Sequence, residues 1–380
     1  MKSILFIMRY PLEEKHHLKQ KFDGQMAACV NLGYQVKHFA YDKNNVYLID
    51  VNNGTKEIVG KAHFTGFKKY RNSFGFLDLF LSLKKIARKE RFDYIYMRSK
   101  TVNWTAVDAI EKMRDNGCKL IVEIPSFHNN EKVLSSTRKV IMKVANHWNH
   151  QLQGMIDLYT AIGPDCKGYI NGRPAMNIEN GICLDTIPCR EYQPQEEIHL
   201  LALASMRSWH ACDRLLNGLG EYKGSKNIIS DMVGGDNDGS LAEWKSLAEQ
   251  LEINDKVRFH GPKFGDELTE MFQIADAGVA TLGLHRTGIT VGSVLKTREY
   301  MARGLPFIYG YEDLSLPKDY PYTLQFPATE DPIDIEKVLN WVGDIRKEKD
   351  IPQTMRRYAQ DHMSWESIYK AVFEKADSVS

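Results

Sequence analysis

Runs of β-branched and aromatic residues alternate with amphipathic stretches along the whole chain, the pattern of parallel sheets covered by helices. The first half predicts strands over 3–8, 35–41, 93–98, 119–124, 157–163 and 175–179. Helices are expected over 23–32, 76–90, 102–115 and 131–153, with a hairpin over 46–64 turning at Asn53-Gly54. The alternation then restarts. Strands at 199–205, 228–233, 257–260, 277–282 and 306–311 are interleaved with helices at 211–222, 239–251, 266–274 and 294–303. Helices 333–347, 353–362 and 364–377 close the chain. In the last of these Trp365, Ile368, Tyr369, Val372, Phe373 and Ala376 share one face behind Ser364, a candidate cap. That apolar stripe has to be buried. Between the halves, the polar stretch from Cys183 to Glu197, interrupted by Pro188 and Pro194, reads as a hinge. Two Rossmann-like domains are expected.

Composition supports this and narrows the class. A length of 380 residues suits two domains, and 43% hydrophobic with 26% charged residues is ordinary for a soluble enzyme. The apolar run near the N-terminus is too short for a signal peptide, and no stretch approaches the roughly 20 apolar residues of a membrane span. The six cysteines show no Cys-x-x-Cys spacing, so neither a zinc site nor a disulfide framework is indicated, and a reduced cytoplasmic setting is expected. The net charge of +1 conceals a division: residues 1–182 carry 28 Lys+Arg against 17 Asp+Glu, and residues 183–380 carry 22 against 32. A basic first half suits an anionic partner, either substrate phosphates or a membrane surface; solubilising surface charge is the ordinary alternative.

The most informative segment runs from Ser293 through Lys296 and Glu299 to Gly304-Leu305-Pro306, then into the apolar Phe307-Ile308-Tyr309. A short helix ended by glycine and proline, leading straight into a strand, places its N-terminus and two charges at the mouth of an α/β sheet. The segment resembles the donor-binding signature of glycosyltransferase family 4, in which a glutamate before the Gly-x-Pro helix end holds the ribose of a nucleotide-sugar. Other segments match in the same order: Asn180-Gly181-Ile182, the strand ending Leu203-Ala204-Ser205 followed by Trp209-His210-Ala211-Cys212, Val233-Gly234-Gly235, Phe259-His260-Gly261, Ala275-Asp276-Ala277 and Met363-Ser364-Trp365.

The resemblance covers residues 118–380; residues 1–117 fit only in topology. It implies an α/β chain of GT-B architecture, with two Rossmann-like domains facing across a cleft: an acceptor-side domain over 1–182, a nucleotide-sugar domain over 183–362, and a C-terminal helix over 363–380 crossing back to the first. It also implies a retaining glycosyltransferase of the polysaccharide-building kind. The donor would be a UDP-sugar and the acceptor a glycan or lipid-diphosphate-linked glycan, with no metal or other cofactor and no nucleic-acid partner. A cytoplasmic protein, peripheral at the inner membrane face, would follow.

Residue by residue, the resemblance assigns Glu299 to the ribose and Lys296, on the same helical face, to phosphate. Arg207 and His210 stand where the family carries an arginine and a lysine for the leaving diphosphate, and Gly292 and Ser293 complete the donor loop. His128, after Glu123-Ile124-Pro125, is a candidate contact to the transferred sugar, and Glu123 itself is taken as structural. Lys296, Arg207 and His128 form the catalytic set. On the acceptor side stand Arg98, at the end of strand 93–98, and Lys19 in a basic loop with Lys15, His16, His17 and Lys21. These histidines and lysines lack metal-ligand spacing. For each residue the alternative is an ordinary surface or loop side chain. At Val291 the family commonly has a second glutamate, so a catalytically silent binding partner is a competing reading. A nucleotide-sugar epimerase is a third, disfavoured because no carboxylate pair is spaced for acid and base work.

Overall fold

The computed structural model describes the chain except residues 13–16, 43, 63–75, 99–101, 126–146, 164, 237 and 380. It divides into two compact units, Met1–Ile178 with Trp365–Ser380, and Glu179–Ser364.

The first unit is built on a nine-stranded sheet: β1 (Ser3–Pro11), β2 (Gln35–Tyr41), β3 (Asn45–Asp50), β4 (Lys56–Lys61), β5 (Tyr94–Arg98), β6 (Lys119–Ile124), β7 (Leu158–Ala161), β8 (Tyr169–Ile170) and β9 (Arg173–Asn177). Their order is β4-β3-β2-β1-β5-β6-β7-β9-β8. The six central strands from β2 to β9 run parallel. The expected hairpin appears as antiparallel β3 and β4, with Gly54 at φ +76° in the turn. The chain winds outward from β1 to β2, then returns to β5 on the other side. That reversal makes the crevice at the carboxyl ends of β1 and β5 the natural ligand position of this sheet.

Each face of the sheet carries its own core. One packs Leu79, Leu83, Ile86 and Ile110 against Ile95 and Leu120. The other packs Ile4, Phe6, Tyr94 and Tyr96 against the last helix, Trp365–Ser378, through Trp365, Tyr369, Val372, Phe373 and Ala376. The apolar stripe read from the sequence is therefore buried on the first unit's sheet, each large side chain contributing about 1.5–3 kcal/mol. Helix His17–Asn31 begins six residues before the expected start at 23, so Lys19 and Lys21 lie in its first turns and not in a loop.

The second unit holds a six-stranded parallel sheet of β10 (Ile198–Leu203), β11 (Ile228–Val233), β12 (Val257–Gly261), β13 (Ala277–Val279), β14 (Phe307–Tyr309) and β15 (Thr323–Gln325), ordered β12-β11-β10-β13-β14-β15. Its winding reverses between β10 and β13. Helix Leu295–Arg303 leads into β14 and stops at Gly304, whose φ of +76° and approach to Pro352, 2.2 Å from where a Cβ would stand, admit no side chain. Among the described residues no helix is long and apolar enough to cross a membrane, and the six cysteines are free.

Candidate functional site

At the switch point of the second sheet, the segments after β10, after β13 and before β14 converge. Helix Leu295–Arg303 follows Val294, and helix Cys212–Glu221 follows Ala211; neither preceding residue has a side chain able to cap. The first amides of both helices lack intrahelical partners and sit at the positive end of a macrodipole. The sequence adds cations at this end. Lys296 Nζ lies 3.4 Å from His210 Nδ1, and that nitrogen lies 3.2 Å from Thr281 Oγ1. Arg207 is half-exposed, its guanidinium 4.9 Å over the Trp209 ring.

Burial dominates the electrostatics here. It lowers the Lys296 ammonium from its usual 10.5 to about 8, against the pull of Cys212 and Glu299. Burial, reinforced by the Lys296 and Arg207 charges, pushes His210 down to about 2. His210 is thus a neutral imidazole at any physiological pH, while Lys296 is charged below about 8. Ala211 adopts the left-handed conformation at φ +48°, and its methyl fills the space beside Gly283, where a Cβ would stand only 2.5 Å away.

One helical turn beyond Lys296, Glu299 keeps about a quarter of its side chain exposed, and its Oε1 accepts from Arg303 Nε at 3.0 Å. The Arg303 guanidinium is itself packed 4.3 Å over the Phe272 ring. The carboxylate is therefore held in one rotamer by a buried cation.

The neighbouring residues assigned to the donor loop are engaged elsewhere. The Ser293 hydroxyl accepts from the Asn180 amide at 2.6 Å and from Arg298 Nη2 at 2.7 Å, and the Gly292 amide donates to the Glu312 carbonyl at 2.9 Å. Val291 forms a parallel bridge with Glu312, an exposed carboxylate. Two clusters were not anticipated from sequence. Arg298, wholly buried, pairs with buried Asp313 at 2.6 and 3.0 Å and donates to the Asn180 carbonyl at 2.9 Å. Arg286 binds Asp213 at 2.9 and 2.6 Å, the Ser208 carbonyl at 2.8 Å and Glu330. These pairs lock the loops that present Lys296 and Arg207; the signal available in sequence was only the adjacency of Arg298 to Glu299 and of Asp213 to a helix start.

A separate cavity of about 330 Å³ lies at the opposite edge of this sheet, beside Asp276 before β13 and Pro306 before β14. Its arginines, buried Arg190 and partly exposed Arg346, are spent on structure. Arg190 donates to the carbonyls of Gly304, Phe272 and Ala275 at two helix ends, and Arg346 pairs with Asp276 at 2.6 Å.

In the first unit, Arg98 ends β5 with its guanidinium 4.0 Å from Glu123 and 5.5 Å over the Phe22 ring. Glu123 is fully buried and accepts from Lys21 at 3.0 Å, Gln25 at 2.8 Å and Tyr96 at 2.9 Å. Burial alone would raise its pKa, but Lys21, Gln25 and Arg98 more than offset this and leave it lowered. Lys21, expected in a basic loop, is instead a core ion-pair partner because the helix turns it inward four residues before Gln25. Lys19 is exposed and paired with Asp23. His128, Lys15 and His16 lie outside the described residues.

No family model matches the chain, and no curated protein sequence does. Solved structures do. A glycosyltransferase from Rickettsia africae is 14% identical with a TM-score of 0.65, over 99% of this chain and 98% of that one. Anabaena HepE in complex with UDP is 13% identical with a TM-score of 0.59, over the whole of both chains. The catalytic domain of starch synthase IV from Arabidopsis thaliana, bound to ADP and acarbose, is 12% identical with a TM-score of 0.63, over 99% of each chain. Such likeness shows the fold, which is that of the GT-B glycosyltransferases.

Proposed function

We propose that the chain is a retaining, metal-independent glycosyltransferase of family 4 type that moves a sugar from a UDP-sugar to a glycan or lipid-diphosphate-linked glycan. The observation that carries this reading is the gathering of Lys296, Arg207, His210 and two uncapped helix starts at the switch point, one helical turn from Glu299. A nucleoside diphosphate needs those elements: cations and free amides for phosphate, and a fixed carboxylate for two adjacent ribose hydroxyls. The solved neighbours that hold UDP, UDP-glucose or ADP support the same ligand class.

In the reaction, negative charge accumulates on the departing diphosphate. Lys296, Arg207 and the amides of Leu295 and Lys296 are fixed before the bond breaks, so they stabilise that charge without reorganising. They do the work that a divalent cation performs elsewhere, which supports the metal-free reading. Arg303 positions Glu299. The acceptor falls to the first unit, where Arg98 ends β5, and its basic composition fits an anionic carrier at the cytoplasmic membrane face. The test is thermal stabilisation by nucleotide-sugars. A donor at 100 times its Kd adds about 2.7 kcal/mol to folding, a rise of several degrees. A panel of UDP-, ADP- and GDP-sugars without effect on melting would reject the reading.

A further inference from the structure

The resemblance leads one to expect lysine at position 210, yet a second ammonium there would face Lys296 at close range. Histidine resolves this in a way that the geometry specifies. An ammonium carries only protons, so at 3.4 Å from Lys296 Nζ the Nδ1 atom of His210 presents its lone pair. Thr281 Oγ1, 3.2 Å from the same nitrogen, is free to donate there as well. The one ring proton then resides on Nε2. Burial and the flanking charges hold the ring in that neutral form.

Resting on the donor-site reading above, we propose that His210 is a neutral Nε2–H donor to the diphosphate of the nucleotide-sugar, with Lys296 polarising the ring from behind. The ammonium's charge thereby reaches the phosphate through the imidazole. One cation serves where two would repel, and the bond to phosphate is independent of imidazole titration. An uncharged side chain with an N–H donor should replace it.

Full-length protein labelled with ¹⁵N-histidine, with His210 assigned through His210→Gln, reads the tautomer directly between pH 5.5 and 7.5. The expected spectrum is a neutral, Nε2-protonated ring whose shifts do not move; Nδ1 protonation or a titration in that window overturns the proposal. Calorimetry with UDP-glucose, whose diphosphate does not itself titrate there, supplies the second arm. His210→Gln should bind within about threefold of wild type, His210→Ala about tenfold more weakly, as for loss of one hydrogen bond to a charged group. Wild-type affinity should be flat over the same pH range. Equal affinity of a folded His210→Ala variant removes the relay and leaves the donor site standing. If wild type binds none of UDP-glucose, ADP-glucose and GDP-mannose, the donor-site reading falls and takes the relay with it, whatever the tautomer.

Discussion

Asp313→Asn is the substitution whose cost the structure fixes best. Both side chains of the Arg298–Asp313 pair are fully buried, and the carboxylate meets the guanidinium through two hydrogen bonds while also accepting from Ser315. Asparagine keeps the shape but replaces one acceptor with a donor aimed at a guanidinium, and it leaves the buried charge with only the longer contact to the Glu179 carboxylate, at 3.4 Å. Breaking such a pair from one side costs about 3–5 kcal/mol. The lower end applies here, because Arg298 retains the Asn180 carbonyl, the Ser293 hydroxyl and the Glu179 carboxylate. With a urea slope of about 3 kcal/mol/M, the unfolding midpoint should fall by roughly 1 M. Replacing both partners, Arg298→Met with Asp313→Leu, should recover most of the loss, since an apolar pair needs no desolvation of charge. A midpoint within 0.3 M of wild type for Asp313→Asn would refute the argument that this pair anchors the helix carrying Lys296 and Glu299.

Glu299→Gln should weaken nucleotide-sugar binding in calorimetry by about 1.5–3 kcal/mol while the protein stays folded, because a charge-assisted bond to ribose is lost; full affinity would dismiss the ribose role. Gly283→Ala drives a methyl to 2.5 Å from the Ala211 Cβ and 3.3 Å from the Arg286 side chain, so overpacking should cost about 1–3 kcal/mol by thermal denaturation, and a neutral result would contradict the tight packing behind His210. Lys296 gives a signed pH dependence. Its folded-state value of about 8 is below the ordinary 10.5, so between those two the unfolded chain still holds a proton that the folded chain has released, and stability contributed by this site should rise with pH across that window. Nucleotide affinity should move the opposite way, declining above pH 8 as the cation is lost; Lys296→Met should flatten both profiles, and persistence of either would assign it to another group.

How much of this was legible in the sequence follows the range of the interactions. Helices 266–274 and 294–303 and the Asn53-Gly54 hairpin were legible because period, turn chemistry and a terminal glycine act within a few residues. The shared face of Lys296 and Glu299 was legible for the same reason: they stand three residues apart on one helix. The start of helix His17–Asn31 was hidden, since Leu18 is the one apolar residue among His17, Lys19, Gln20 and Lys21 before Phe22. Lys21 was misplaced with it, for a lysine with a partner 102 positions away looks like any surface lysine. Arg298 with Asp313, and Arg286 with Asp213 and Glu330, were silent for that reason: charges separated by 15 to 73 residues leave no local pattern. Strands β8 and β15, of two and three residues, are too short for alternation to register.

In the proposed function this switch point activates a nucleotide-sugar without a metal, in spite of valine at position 291. Turnover of a panel of nucleotide-sugars by the wild-type protein in excess EDTA, with release of nucleoside diphosphate followed by transfer to a glycan acceptor or slow hydrolysis by water, tests it most directly. Turnover should be unchanged by EDTA and lost in Lys296→Met. Tight nucleotide binding with neither transfer nor hydrolysis of any donor would contradict it and identify a silent binding partner, and activity restored only by manganese or magnesium would contradict the metal-free mechanism.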